Sequence, residues 1–459
     1  MSHLFPASMR IYHLITFAAL VPASLGAQTP RLRVAATVDT LPNGLTLIIH
    51  EDHSVPRVAT NIWYRVGSGD EKVGRTGFAH LFEHLMFMGS ENAPYPTFDK
   101  LLEPFGMGAN GSTTEDRTNY LQDGAANALE TTLWLEADRM GWMLPTMDSA
   151  KVDAQRDIVK NERRQSYENQ PYGKAADILP PALYPKGHPY SWPVIGSMAD
   201  LSAASLEDVK EFFRQYYAPN NAAIVIAGDV NTDSVRRLVR KYFGNIPRGP
   251  TISRPTPPPF TVRDTGIVAE DRVQLPRLYL GWHTVNNQHR DAAPLDILSY
   301  LLSGARNSRL TNNLVYQREI ATSVNAFSDA KRLDGDYSIV ATARPGQGLD
   351  SLKVAIDREL ARLATEGPTA RELEQAKNAR ESSFLNGLEF VSNKADQLNA
   401  YAYFNGTPDY FQKDLDALRA VTADDIKRVI NAYLKGPRVM LSIVPMGKRE
   451  LAATRVIIQ

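Results

Sequence analysis

Leu206–Tyr217 (LEDVKEFFRQYY) places apolar residues at helical spacing and runs into Ala222-Ala223-Ile224-Val225-Ile226, a short run with strand composition. The same unit recurs near the other end, where Asp424–Leu434 (DDIKRVINAYL) runs into Val439-Met440-Leu441-Ser442-Ile443-Val444. One constant offset lays Asp208, Val209, Lys210 and Tyr216 on Asp425, Ile426, Lys427 and Tyr433. The starts of the two halves match as well: Pro56-Arg57 before one strand resembles Pro276-Arg277 before Leu278-Tyr279-Leu280. An internal duplication is the economical account.

Between the copies lies Pro247-Arg248-Gly249-Pro250, followed by Pro255-Thr256-Pro257-Pro258-Pro259. Proline fixes φ and lacks a donor, so this stretch is expected to be an extended linker over 248–262. The flanking domains are expected over 32–247 and 263–455. Within the first, Leu45–His50 and Ala59–Val66 read as strands, and Thr76–Met88, Ala125–Trp142 and Lys151–Tyr167 as helices. The second adds a long helical stretch from Thr369 to about Tyr403. Strands segregated from helices predict an α+β class: two homologous domains, each an antiparallel-rich mixed sheet packed with helices.

Composition narrows the function. Lys+Arg and Asp+Glu both total 51 in 459 residues, so nothing at the whole-chain level favours nucleic acid or a charged membrane surface. There is no Cys, which excludes disulfides and means that any metal must be held by His and carboxylates. At the N-terminus, Arg10 precedes the apolar run Ile11–Leu20 and the small-residue end Val21–Ala27. These are the parts of a cleavable signal peptide over 1–27, which predicts a periplasmic or secreted protein. The run is too short to span a bilayer, and no membrane span is expected in the mature chain.

Gly77-Phe78-Ala79-His80-Leu81-Phe82-Glu83-His84-Leu85-Met86-Phe87 contains His-x-x-Glu-His. On a helix, residues four apart share a face, so His80 and His84 can grip one ion from the same side. Glu83 stands beside them, placed to act as general base and not needed as a ligand. Catalytic zinc takes three protein ligands and keeps one position open. The third is read as Glu162, which by helical spacing shares a face with Gln155, Ile158 and Val159; a carboxylate on an apolar face is costly unless paired or metal-bound. One Zn2+ per chain is the expected cofactor. His53, His188, His283 and His289 lack ligand spacing and read as structural or solvent-facing. Aligning Gly89 with Gly304 sets His80, Glu83 and His84 opposite Leu295, Leu298 and Ser299, so the second copy keeps the helix without the chemistry.

With these residues in place, nearly all of the mature chain resembles the insulinase/pitrilysin family of zinc peptidases, and most of all its two-domain members such as the mitochondrial processing peptidase subunits and their bacterial homologues. The similar stretches are Gly77–Gly89, Asn110-Gly111-Ser112-Thr113, Asp116–Tyr120, Arg156–Arg163, and Tyr216–Asn221 before Gly228-Asp229. The resemblance implies a zinc endopeptidase acting on peptides or unfolded segments, with His80, His84 and Glu162 on the metal and Glu83 as catalytic base. It also implies that Asn110, Gly111, Ser112 and Thr113 form an edge strand that takes up extended substrate.

Two departures bear on that reading. Gln155 stands where many relatives have a Glu. The Arg and Tyr that active relatives carry in a second half are matched here by Val315 and Thr322, with Tyr316 and Arg318 out of register. The resemblance therefore implies a heterodimer, in which a related subunit without the metal motif supplies the Arg and Tyr; a homodimer is the competing arrangement. Two further alternatives are a non-catalytic scaffold subunit of the same fold and a zinc amidase acting on cell-wall peptides.

Overall fold

Ser205 and Asp208 cap one helix reciprocally, and Thr422 and Asp425 repeat the same box in the second half. The chain is seen here as a computed structural model that describes residues 31–254 and 256–454. The expected signal peptide lies outside the described residues.

In chain order, the first half contains β1 (Thr37–Thr40), β2 (Thr46–Glu51), β3 (Arg57–Tyr64), α1 (Phe78–Leu85), α2 (Thr97–Leu102), β4 (Gly108–Thr113) and β5 (Thr118–Ala125). It continues with α3 (Leu129–Trp142), α4 (Ser149–Arg163), α5 (Ala175–Leu183), α6 (Met198–Ala203), α7 (Leu206–Tyr216), β6 (Ala222–Gly228) and α8 (Thr232–Phe243). The second half contains β7 (Thr265–Asp271), β8 (Arg277–Thr284), α9 (Ala292–Ser303), β9 (Ala321–Ala330) and β10 (Gly335–Ala343). It ends with α10 (Leu349–Glu366), α11 (Ala370–Gly387), α12 (Val391–Phe404), α13 (Phe411–Ala420), α14 (Ala423–Val429) and β11 (Val439–Pro445).

The sheets run β1-β2-β6-β3-β5-β4 and β7-β11-β8-β10-β9. Apart from β1 they are the same topology: β2 and β6 pair in parallel, as do β7 and β11, and every other pairing is antiparallel. The fold is α+β with two related sheet-and-helix units, as the duplicated sequence predicts. Tyr216 and Tyr433 repeat a further detail: each hydroxyl reaches back to the segment before its unit's first helix, at the Asp70 carbonyl and the Asp291 carboxylate.

One face of the first sheet packs on α1, α3, α7 and α8 around Ile62, Tyr64, Phe82, Leu133, Ile224 and Val235. Its other face is covered from the second half: α12 lies across β3, β5 and β6. In return α5 lies against β8 and β11. Each half thus lends the other a helix.

Two helical readings need correction. The stretch Thr369–Tyr403 is not one helix; α11 stops at Gly387, the backbone turns extended at Phe390, and α12 sets off toward the other half's sheet. Periodicity alone cannot register such a change of partner. The stretch Lys151–Tyr167 is α4 followed by a wider π-turn over Arg164–Glu168.

Candidate active site

Helix α1 starts where Gly77 adopts φ 88°, a left-handed conformation suited to glycine, against the Ile195 carbonyl. Phe78, Ala79, Leu81, Phe82 and Leu85 are buried, so His80, Glu83 and His84 are left on the half-buried face. The first turn is fixed by a residue the motif does not contain: Glu71, fully buried, accepts the N–H groups of Gly77 at 3.0 Å and Ala79 at 2.8 Å. A carboxyl here satisfies donors that the start of a helix otherwise leaves orphaned.

Helix α4, capped by Asp148 on the Lys151 N–H, brings Glu162 to the two histidines. Its Oε2 lies 3.4 Å from His84 Nε2 and 3.7 Å from His80 Nε2, and one ligand atom from each residue fits within 4.8 Å of the others. Zinc held tetrahedrally at about 2.0–2.1 Å would separate its ligand atoms by about 3.4 Å, so the set fits the ion. Burial, reinforced by His84, lowers the His80 pKa to about 4, which keeps its ring neutral and free to coordinate.

The helical-face argument for Glu162 needs correction. Ile158 is 47% exposed, and the buried face of α4 is Val152, Gln155, Val159 and Arg163. Glu162 sits at the rim, and its proximity to the histidines is what singles it out. Gln155 is buried with its amide directed to the Met88 sulfur at 2.8 Å, and His80 Nδ1 is buried without a partner among the described residues.

Glu83 faces β4. Its Oε2 accepts the Thr113 hydroxyl at 2.7 Å, while burial raises its pKa and this bond opposes the rise. Gly111 passes so close that an added Cβ would lie 2.9 Å from Glu83 Cγ. Strand β4 is the sheet edge, paired only with β5. The Thr114 N–H to Arg117 carbonyl bond and the register turn the backbone groups of Asn110 and Ser112 toward β5. Those of Gly111 and Thr113 therefore face the open edge. The Asn110 side chain caps the Gly111 N–H at 2.9 Å, and Ser112 points to the opposite sheet face, toward Asn119.

Val315 packs on the second core, and the Thr322 hydroxyl donates to the Thr342 carbonyl. Tyr316 is exposed beside Arg306. Of the other histidines, His188 and His283 both meet Asp334, His53 pairs with Asp229, and His289 lies near Asp291. His188 is buried and His53 exposed. The residues that sequence reading gave no role are Glu71, Arg117 and Asp396. Glu71 left a signal as an acidic residue shortly before a helix start, and Arg117 as part of the Asp116–Tyr120 stretch.

Two family descriptions match: residues 46–188 match the insulinase family (peptidase family M16), and 203–380, from the end of the first half into the second, match the peptidase M16 inactive domain. The chain belongs to the insulinase family of peptidases. It is 31% identical to the zinc protease PqqE of Helicobacter pylori over 406 residues, covering 86% of this chain and 89% of that one. It is 24% identical to the mitochondrial-processing peptidase subunit beta of Blastocladiella emersonii, covering 90% and 89%. A crystal structure of a Helicobacter pylori protease superposes with a TM-score of 0.83 at 28% identity, covering 90% of this chain and all of that one. The periplasmic protease PqqL of Escherichia coli shares the fold, with a TM-score of 0.76 at 18% identity, over 94% of this chain and 49% of its own.

Proposed function

We propose that this chain is a zinc-dependent endopeptidase subunit that hydrolyses peptides or unfolded segments outside the cytoplasm. The observation that carries the reading is the convergence of His80, His84 and Glu162 beside Glu83, directly under the open edge of β4. His80, His84 and Glu162 would hold one zinc ion, which when bound supplies Lewis-acid polarisation and a water of lowered pKa. Glu83 takes the proton of the attacking water and returns it to the leaving amine, and the Thr113 hydroxyl holds it in position. The outward Gly111 carbonyl and the outward backbone groups of Thr113 pair with an extended substrate, which selects unfolded chains over folded ones.

With Val315 and Thr322 in place of a donor pair, we assign the missing Arg and Tyr to a homologous partner subunit, in a periplasmic or secreted complex. The test is metal content and peptide cleavage for the wild-type chain and Glu83→Gln, each alone and with such a partner. One zinc per chain in both proteins, with partner-dependent cleavage only in the wild type, is the expected result. Full activity of the isolated chain would remove the heterodimer, and absence of bound zinc would remove the peptidase.

A further inference from the structure

The face of the first sheet opposite the catalytic helix carries a polar relay that no part of the mechanism above uses. Asp396, on α12 of the metal-free half, accepts three hydrogen bonds at Oδ1: Asn61 Nδ2 and Trp63 Nε1 at 2.9 Å, and Asn119 Nδ2 at 3.3 Å. Asn119 Oδ1 in turn accepts the Ser112 hydroxyl at 2.6 Å. Arg117 closes the circuit, donating from Nη1 to the Ser112 carbonyl at 2.8 Å and hydroxyl at 2.7 Å while its guanidinium lies 5.1 Å from the Trp63 ring centre. Asn61, Trp63 and Asn119 are buried, so their donors have no water to fall back on. One residue further along the strand, on the other face, Thr113 bonds Glu83.

We infer that Asp396 and Arg117 are positioning residues: through Asn119 and Ser112 they hold the pleat of β4, and with it Thr113 and the substrate edge, in place against Glu83. An edge strand with one neighbour and a glycine at its centre is a weak platform by itself. Here its open edge is left to substrate, and from behind it is tied through Ser112 and Asn119 to a helix of the other half. Two neighbouring contacts fix that helix: Asn399 Nδ2 donates to the Asn61 carbonyl at 2.9 Å, and Lys394 pairs with Asp52. The half without metal ligands is therefore part of the substrate site, which gives a physical reason for α12 to cross over. The relay is read from contacts alone; its effect on catalysis rests on the peptidase reading.

Hydrogen–deuterium exchange on the full chain tests the relay without activity. Asp396→Ala is expected to speed exchange of the amides in 108–119 by about tenfold, with Phe78–Leu85 and the second sheet unchanged. Asp396→Asn, which keeps an oxygen acceptor, should recover most of the protection. In the zinc-loaded protein, assayed with a homologous partner subunit, the same alanine variant should raise KM for an extended peptide about tenfold, with a smaller change in kcat and no change in zinc stoichiometry. Asn119→Ser breaks the relay on β5 and leaves Asp396 its bonds from Asn61 and Trp63, so a reading remains should the first variant not fold. Unchanged exchange over 108–119 would overturn the inference. A wild-type chain that binds zinc but cleaves nothing even with a homologous partner subunit present would count against the peptidase reading, leaving the exchange result to decide the relay.

Discussion

Glu83 and Thr113, 30 residues apart in sequence, are joined by a hydrogen bond of 2.7 Å that ties α1 to the edge strand β4. It is the contact through which the site that would hold metal and the edge that would hold substrate affect each other.

Loss of that bond should show in the pH profile. Burial raises the Glu83 pKa and the Thr113 hydroxyl, by stabilising the carboxylate, holds it down. Thr113→Val removes the stabilisation, so the carboxyl stays protonated to higher pH and the acid limb of kcat/KM moves upward. About a tenfold loss of kcat/KM is expected at neutral pH, with zinc content intact, as befits one hydrogen bond to a charged group. An acid limb that stays put or moves down would contradict this arrangement.

Metal should stabilise the chain through His80, His84 and Glu162. With free zinc about a hundredfold above Kd, linkage adds about 2.7 kcal/mol to unfolding. Urea titrations should show this gain in the wild type, its reversal by a chelator, and its absence in His80→Ala. The chelated wild type should remain folded, because its cores are extensive and contain none of the three ligands.

Glu71 should give the protein a pH-dependent stability. Burial pushes its carboxyl from 4.5 up to about 8. Between those values the folded chain keeps a proton that the unfolded chain has released, so stability falls as pH rises through that window, by roughly 3–5 kcal/mol in all. Glu71→Gln retains an acceptor for the α1 donors and should flatten the slope between pH 5 and pH 8, measured by urea midpoints. Glu71→Ala lacks the acceptor and should cost about 1–2 kcal/mol at pH 5.

Separating the halves should expose what the exchanged helices cover. A chain cut to residues 31–254 leaves bare the face around Trp63, which otherwise packs edge-on against Tyr403 and Phe404. That fragment should self-associate on gel filtration, and co-expression with 256–454 should return it to a defined complex. A well-behaved monomeric fragment would show that α12 is dispensable for folding of the first sheet.

Much of this was legible in the residues. The spacing of His80, Glu83 and His84 is a local property of a helix, as are the caps at Ser205 and Thr422 and the alternation that marks β6 and β11. The duplication followed from aligning those local signals. The fold brings Glu162 to the histidines, but the apolar face that helical spacing gives as the reason is incomplete, since Ile158 faces solvent.

What the sequence determined by itself, then, is the spacing of His80, Glu83 and His84 on one helix, the two-fold repeat and the α+β class, because each is written in periodicities of two or about four residues. The tertiary structure decided three things: that Glu162 meets the histidines at 3.4 and 3.7 Å, that β4 rather than another strand lies over Glu83, and that α12 serves the opposite half. Asp396 lies 277 residues from Asn119, and no local pattern encodes a contact at that separation. Such contacts exist because two half-covered sheets each need a helix on their second face, and the chain meets that need by exchanging them.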